Sequence, residues 1–162
     1  MPKKFYIAKY DRVFKALFCN EDDTYLLKEF LTRLLDKEIK HINFLNNELL
    51  INNVSSKNKT VDLLAVADDM YVHIEVNTSR DKKYFHIRNF TYFTEIYNKK
   101  TLKGEDYKFE ENFIHIDLSY NLSNKENIVN TYYLVDENKN KYIENFEIRE
   151  YNMDKIKKFC MI

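Results

Sequence analysis

Apolar residues recur with helical spacing in the first part of the chain, which predicts two amphipathic helices. The face of the first predicted helix consists of Tyr10, Val13, Phe14, Leu17 and Phe18. The face of the second consists of Leu26, Leu27, Phe30, Leu31, Leu34 and Leu35. The polar break between them offers Asn20, Asp22 or Asp23 as the N-cap of the second helix.

From residue 39 the pattern changes to the short, β-rich runs that are typical of strands. The predicted strands of this part cover residues 39–45, 49–53, 60–67 and 70–77. Asp68 and Asp69 form a turn between the last two runs, and the second of these alternates between apolar and polar residues. The result is a predicted hairpin with Asp62 on one arm and Glu75 on the other.

Residues 81–103 contain no Gly or Pro and predict the longest helix, with Gly104 as its stop. The aromatic residues of this helix fit a base-stacking surface, but their helical spacing favours a core. Three more strands are predicted over residues 112–118, 129–135 and 146–151. The order of elements predicts a single domain over residues 1–162, of the α/β or α+β class, with a mixed sheet.

Length and composition exclude several classes of protein. A chain of 162 residues with 44% hydrophobic and 32% charged residues fits a folded globular domain. No run reaches the roughly 18 apolar residues that a membrane span needs, so we expect a soluble, cytoplasmic protein without a membrane partner. Cys19 and Cys160 lack metal-ligand spacing, which excludes a cysteine zinc site. Gly104 is the only glycine, which excludes glycine-rich phosphate-binding loops.

Charge is balanced overall but unevenly distributed. The chain has 26 basic and 26 acidic residues. Residues 1–20 carry five basic and one acidic residue, residues 60–79 carry four acidic and no Lys or Arg, and residues 80–109 carry eight basic and four acidic. An acidic segment between two basic ones suits a metal-dependent phosphodiesterase, which needs carboxylates for the cation and cations for the polyanion. Chance segregation of surface charge is the alternative.

The strongest chemical pattern is Asp62 followed, across the predicted hairpin, by Glu75 and Asn77. Because side chains alternate along a strand, Glu75 and Asn77 share one face with His73. Two carboxylates from adjacent strands suit Mg²⁺ or Mn²⁺, which can polarise a phosphoryl oxygen and activate water. Asp62 on an exposed edge strand is the alternative. His73, on the face of Glu75, could be a general base or a zinc ligand, but His41, His86 and His115 show no companion at ligand spacing, so structural roles are favoured for all four histidines.

These motifs resemble the PD-(D/E)XK nuclease family transposases, also called recombination-promoting nucleases, from about residue 8 to about residue 158. The matching stretches are YDRVFKALF, FLTRLL, VDLLAV, VHIEVN, RNFTYFTEIYNKKTLKGEDY and FIHIDL. The resemblance implies a restriction-endonuclease-like core, a mixed β-sheet flanked by helices. It also implies a metal-dependent DNA endonuclease of low sequence specificity.

By the same resemblance, Asp62 and Glu75 are ligands of Mg²⁺ or Mn²⁺, and Asp11 completes the metal site. For Asp11, an acidic residue at the N-terminus of a helix, where the dipole favours negative charge, is the alternative. Asn77 and Lys15 are implied as catalytic residues that position the attacking water or the scissile phosphate.

The resemblance also assigns Arg88 and Tyr92, one helical turn apart, to the active centre or the DNA backbone. Lys82 and Lys83 are further candidates for nucleic-acid binding, and solvation of the helix is their alternative role.

The chain departs from the family at one motif position and in length. The third motif residue is usually Gln, or Lys in the wider superfamily, but here it is Asn77, which carries no charge. Many relatives also continue well past residue 162. An alternative is therefore a catalytically weakened nuclease fold that acts as a binding or inhibitory module, such as a mobile-element or phage regulatory or counter-defence protein with a protein partner. Two further possibilities stay open. The protein could be an accessory that binds DNA without a metal, and it could form a homodimer.

Overall fold

The computed structural model describes residues 10–45, 61–78, 84–101, 111–120 and 127–156. Both helices predicted at the start are present, as α1 (Asp11–Phe18) and α2 (Tyr25–Leu35). Thr24 is the N-cap of α2, and Asp23 accepts a hydrogen bond from the Tyr25 N–H at 3.0 Å. The third helix, α3 (Phe85–Thr101), lies within the predicted long helix. Among the described residues, none of the helices has the length and apolar character needed to cross a membrane.

The strands form one six-stranded mixed sheet, which confirms the predicted mixed α/β class. They are β1 (Ile42–Phe44), β2 (Leu63–Ala67), β3 (Met70–Asn77), β4 (Asn112–Ser119), β5 (Val129–Tyr132) and β6 (Phe146–Asn152). Their order across the sheet is β1-β2-β3-β4-β6-β5. The three central strands β3, β4 and β6 are parallel, and the other pairs are antiparallel.

Both faces of the sheet carry apolar clusters, because the central strands are covered by helices on each side. On one face, Phe14 of α1 and Leu31 of α2 pack in a cluster with strand residues such as Ile74 and Ile116. On the other face, Phe93 of α3 stacks on Phe146 with ring centroids 3.8 Å apart. The aromatic residues of α3 are thus divided: Phe93 is core, whereas Phe90 is exposed.

Three strands differ from their predicted ranges by more than one residue at an end. Asp62 was expected on a strand, but it lies at a bend and β2 begins at Leu63, because the Asp62 carboxylate accepts the Val76 N–H at 2.8 Å. β1 covers only three residues of the predicted 39–45. β5 ends at Tyr132 because the chain then turns into a small hairpin closed by the Val135–Lys141 bridge. The predicted strand over 49–53 and the stop at Gly104 lie outside the described residues.

Candidate metal centre

The two carboxylates predicted as metal ligands meet where β2 begins and β3 ends. The register pairs Leu63 with Ile74, so the residues just beyond that pair, Asp62 and Glu75, become neighbours. The Asp62 N–H lies 3.3 Å from Glu75 Oε1, and the Val76 N–H donates to Asp62 Oδ2 at 2.8 Å. Glu75 is 4% exposed, whereas the Asp62 side chain is 16% exposed. The backbone itself therefore holds both acidic side chains together.

Cationic side chains reach this carboxylate pair from both faces of the sheet. Lys15 of α1 places its Nζ 3.6 Å from Asp62 Oδ1. Arg88 of α3 places its Nη2 3.8 Å from Glu75 Oε2. Both distances exceed the 2.7–2.9 Å of a tight charged hydrogen bond. The carboxylates are therefore flanked by positive charge on both sides.

Arg88 also contacts aromatic rings of its own helix. Its guanidinium carbon lies 5.2 Å from the ring centroid of Phe85 and 5.9 Å from that of Tyr92, within the range of cation–π contact. Tyr92 is half-buried and its ring centroid lies 6.4 Å from that of His73. Of the two helix residues that the resemblance implied, Arg88 thus lies beside Glu75 and Tyr92 lies beside His73.

The remaining predicted site residues are placed unevenly. Asn77 ends β3 and is buried, 3% exposed, on the same side of the strand as Glu75. Asp11 is the first residue of α1, but its side chain is outside the described part. Lys82 and Lys83 lie outside the described residues altogether. The roles of Asn77, Asp11, Lys82 and Lys83, like the predicted roles of the other site residues, stay predictions.

The donor set suits a hard cation. Within the described residues, no group of three or more His, Cys, Asp or Glu side chains is arranged so that it could hold a metal ion. Mg²⁺ keeps several of its waters, however, and is usually bound by one or two carboxylates together with substrate phosphates. The Asp62 and Glu75 carboxylates match that requirement, whereas a soft metal would require thiolate or imidazole ligands.

The sequence matches a family model, PD-(D/E)XK nuclease family transposase, over residues 8–161. The chain belongs to this family. Neither the comparison with curated proteins nor that with solved structures gives a match. The six-stranded mixed sheet with its helices is consistent with the restriction-endonuclease-like fold of PD-(D/E)XK proteins, which confirms the predicted architecture.

A buried polar row next to the PD-(D/E)XK motif was missed by the sequence analysis. Glu75, Asp117 and Glu150 face one another in register on β3, β4 and β6, and all three are buried. Asn89 of α3 donates to Asp117 Oδ2 at 3.2 Å, and Tyr132 donates to Glu150 Oε2 at 3.0 Å. The available signal was the alternation of polar and apolar residues in FIHIDL, which continues the polar face of VHIEVN onto the next parallel strand.

Two buried histidines extend this polar face beside Glu75. His73 Nε2 lies 3.1 Å from Glu75 Oε1, and His73 Nδ1 lies 2.9 Å from Nδ1 of His115. Burial lowers the pKa of His73 to about 3, and burial together with the neighbouring His73 and Arg88 lowers the pKa of His115 well below its usual value. Burial therefore favours the neutral form of both imidazoles. Sequence analysis predicted structural roles for the histidines and saw no companion for His115.

Proposed function

We propose that this PD-(D/E)XK family protein is a metal-dependent endonuclease that hydrolyses DNA phosphodiester bonds with low sequence specificity. The observation that carries the proposal is the backbone-linked pair of carboxylates, Asp62 and Glu75, flanked by Lys15 and Arg88. Family membership supports a nuclease that acts on DNA. No base-reading module is visible in the sequence, which supports low specificity.

In this proposal Asp62 and Glu75 hold Mg²⁺ or Mn²⁺. When bound, the ion would polarise the scissile phosphate and make a coordinated water more acidic. The protein's own contribution is to fix the two carboxylates through backbone N–H groups of residues 62 and 76. A preorganised pair loses little conformational freedom when the substrate arrives.

Lys15 supplies the positive charge that the third motif position lacks. Asn77 is neutral and buried, so it offers an amide but no charge. The Lys15 ammonium, a third exposed and close to Asp62, has the flexible reach to contact a phosphate oxygen. Arg88, nearly half exposed on the opposite side, extends the cationic surface toward the DNA backbone.

We expect Lys15→Gln to lower the rate of DNA cleavage by about 100-fold, because the charge that stabilises the transition-state phosphate is lost. Lys15→Arg retains the charge and should retain a substantial part of the rate. Lys40→Gln is the matched control, since Lys40 is exposed and lies outside the carboxylate site. Single-turnover cleavage of a labelled duplex measures the three rates. If Lys15→Gln cleaved the duplex at the wild-type rate, Lys15 would have no role in the mechanism.

The direct test of the proposed function uses supercoiled plasmid. The wild-type protein should nick it in Mg²⁺ or Mn²⁺, lose this activity in EDTA, and regain it when excess Mn²⁺ is added back. Several plasmids of unrelated sequence should be cut at comparable rates. Nicking that persists in EDTA, after the protein itself has been freed of metal by dialysis, would contradict metal dependence.

The buried, neutral Asn77 favours a second candidate, a binding or inhibitory module built on a weakened nuclease fold. Asn reaches about 1.5 Å less far than the Gln usual in the family. This candidate predicts intact plasmid under every metal condition. It also predicts retained binding of a DNA or protein partner by variants at Asp62 and Glu75. The plasmid assay therefore separates the two candidates.

A further inference from the structure

Two histidines lie in series behind the Glu75 carboxylate, in the interior of the protein. His73 and His115 face each other in register on the parallel strands β3 and β4, and each is 0% exposed. Their ring centroids are 4.7 Å apart, and their Nδ1 atoms are 2.9 Å apart. The other nitrogen of His73 lies 3.1 Å from Glu75 Oε1. The three side chains thus form one continuous chain of polar contacts.

Neutral imidazoles can satisfy these contacts in only one arrangement when Glu75 is ionised. A carboxylate accepts hydrogen bonds but cannot donate them, so His73 Nε2 must carry the proton. The Nδ1 of a neutral His73 is then an acceptor, and His115 Nδ1 must be the donor to it. His115 Nε2 is left as a bare nitrogen, and it is buried without a hydrogen-bond partner among the described residues. Every donor in the series points toward Glu75.

We propose that His115 and His73 are positioning residues for Glu75, forming a relay of two hydrogen bonds that fixes the orientation of its carboxylate. This inference rests on the proposed metal site. His73 donates directly to Glu75 Oε1, and His115 acts through His73 by fixing its tautomer. The same oxygen also lies 3.3 Å from the Asp62 N–H. Two N–H groups from the protein therefore hold Oε1 in one orientation.

An N–H donor that contacts a metal ligand fixes the orientation of that ligand. Donors of this kind behind a metal ligand typically change metal affinity by about 10–100-fold when they are removed.

A packing role alone does not explain the pair. An apolar pair of similar volume would fill the space between β4 and α3 without leaving the buried His115 Nε2 unsatisfied, and a buried acceptor without a donor is unfavourable. The geometry therefore indicates that the imidazoles are retained for the hydrogen bonds that they make toward Glu75.

The first test is independent of metal and of activity. Long-range ¹H–¹⁵N correlation spectra of the histidine-labelled wild-type protein at pH 7 report which ring nitrogen carries the proton. We expect the Nε2–H tautomer for His73 and the Nδ1–H tautomer for His115. His73 with its proton on Nδ1, or either ring doubly protonated, would overturn the relay.

The second test measures Mn²⁺ affinity by electron paramagnetic resonance of the free ion. His73→Leu should weaken Mn²⁺ binding about 10–100-fold. His73→Gln should recover most of the affinity, since its amide can donate to Glu75 and accept from His115. His41→Leu, at an exposed histidine, is the matched control and should bind like wild type.

The outcomes separate the relay from the metal site itself. If the wild-type protein bound Mn²⁺, Asp62→Ala lost this binding and His73→Leu kept it unchanged, the relay would be overturned and the metal site would still hold. A wild-type protein that binds no Mn²⁺ would overturn the metal site, and with it any role of the relay there. His73→Leu removes a buried polar contact and can unfold the protein, so the affinity is compared only at temperatures where circular dichroism shows native structure. If no such temperature exists, the tautomer measurement on the wild-type protein decides whether the relay is present.

Discussion

Asp62→Asn and Glu75→Gln are each expected to reduce metal-dependent nicking of plasmid by about 1,000-fold. A metal ion contributes several kcal/mol to stabilising the charge of the transition state, and each 1.36 kcal/mol corresponds to a factor of ten in rate. Either variant replaces an anionic ligand with a neutral amide of nearly the same shape. Because the two residues act as one site, the double variant should be little worse than either single variant.

Both substitutions preserve the contacts that build the site, so that the loss reports on charge rather than on folding. An Asn side-chain oxygen at position 62 can still accept the Val76 N–H, and a Gln oxygen at position 75 can still accept from His73. Asp69→Asn and Glu29→Gln are the matched controls, since both residues are in exposed ion pairs away from the site. Full nicking activity in either site variant, with a native circular dichroism spectrum, would contradict the assignment of metal ligands.

A second large effect is expected in the stability of the fold under mild acid. His73 has a folded-state pKa of about 3, and the pKa of His115 is also lowered by burial, whereas a histidine in the unfolded chain titrates near 6.5. Below that value the unfolded state binds protons that the folded state does not. Stability is therefore fully present above pH 6.5 and is lost progressively as the pH falls toward 3.

The loss is large relative to ordinary domain stability. As the pH falls below 6.5, each histidine that stays neutral in the folded state lowers the free energy of unfolding, by up to about 1.4 kcal/mol per pH unit. Between pH 6.5 and 5, the two histidines together therefore lower the free energy of unfolding by about 3 kcal/mol. Typical domains have only about 5–15 kcal/mol in total. Urea denaturation at several pH values in this window measures the slope.

The control for the acid effect removes one of the two buried imidazoles at a time. His73→Gln or His115→Gln should reduce the slope between pH 6.5 and 5 by about half, because each buried histidine contributes one proton to the difference between the two states. A free energy of unfolding that stays constant over this window in the wild-type protein would show that the two buried imidazoles are not held neutral. The window ends at pH 5 so that carboxylates with ordinary pKa values contribute little.

The elements that were predicted correctly are those that a pattern of neighbouring residues in the sequence defines. The apolar stripe of Leu27, Leu31 and Leu34 defines α2 by its spacing, and the alternation in VHIEVN defines β3 and places Glu75 and Asn77 on one side. The placement of Asp62 was only partly right. Its nearness to Glu75 follows from the hairpin register, but its position at a bend depends on a hydrogen bond with the Val76 N–H that no periodicity encodes.

The parts that could not be predicted depend on the pairing of distant strands. His73 and His115 are 42 positions apart, and they meet because β3 and β4 are parallel neighbours joined through α3. The same pairing brings Asp117 opposite Glu75. A sequence shows that each strand has a polar face, but the register that aligns the two faces is set by packing in three dimensions. Without that register, the buried polar row looks like isolated strand residues.

The most direct measurement of the central claim is anomalous diffraction from a crystal of the wild-type protein soaked in Mn²⁺. We expect a Mn²⁺ peak about 2.1–2.2 Å from a carboxylate oxygen of Asp62 and of Glu75, the range for a hard cation with oxygen ligands. A crystal of Glu75→Gln soaked in the same way should show a weak peak or none. The proposed site would be contradicted if Mn²⁺ were bound elsewhere in the wild-type crystal while Asp62 and Glu75, not blocked by crystal contacts, held no metal.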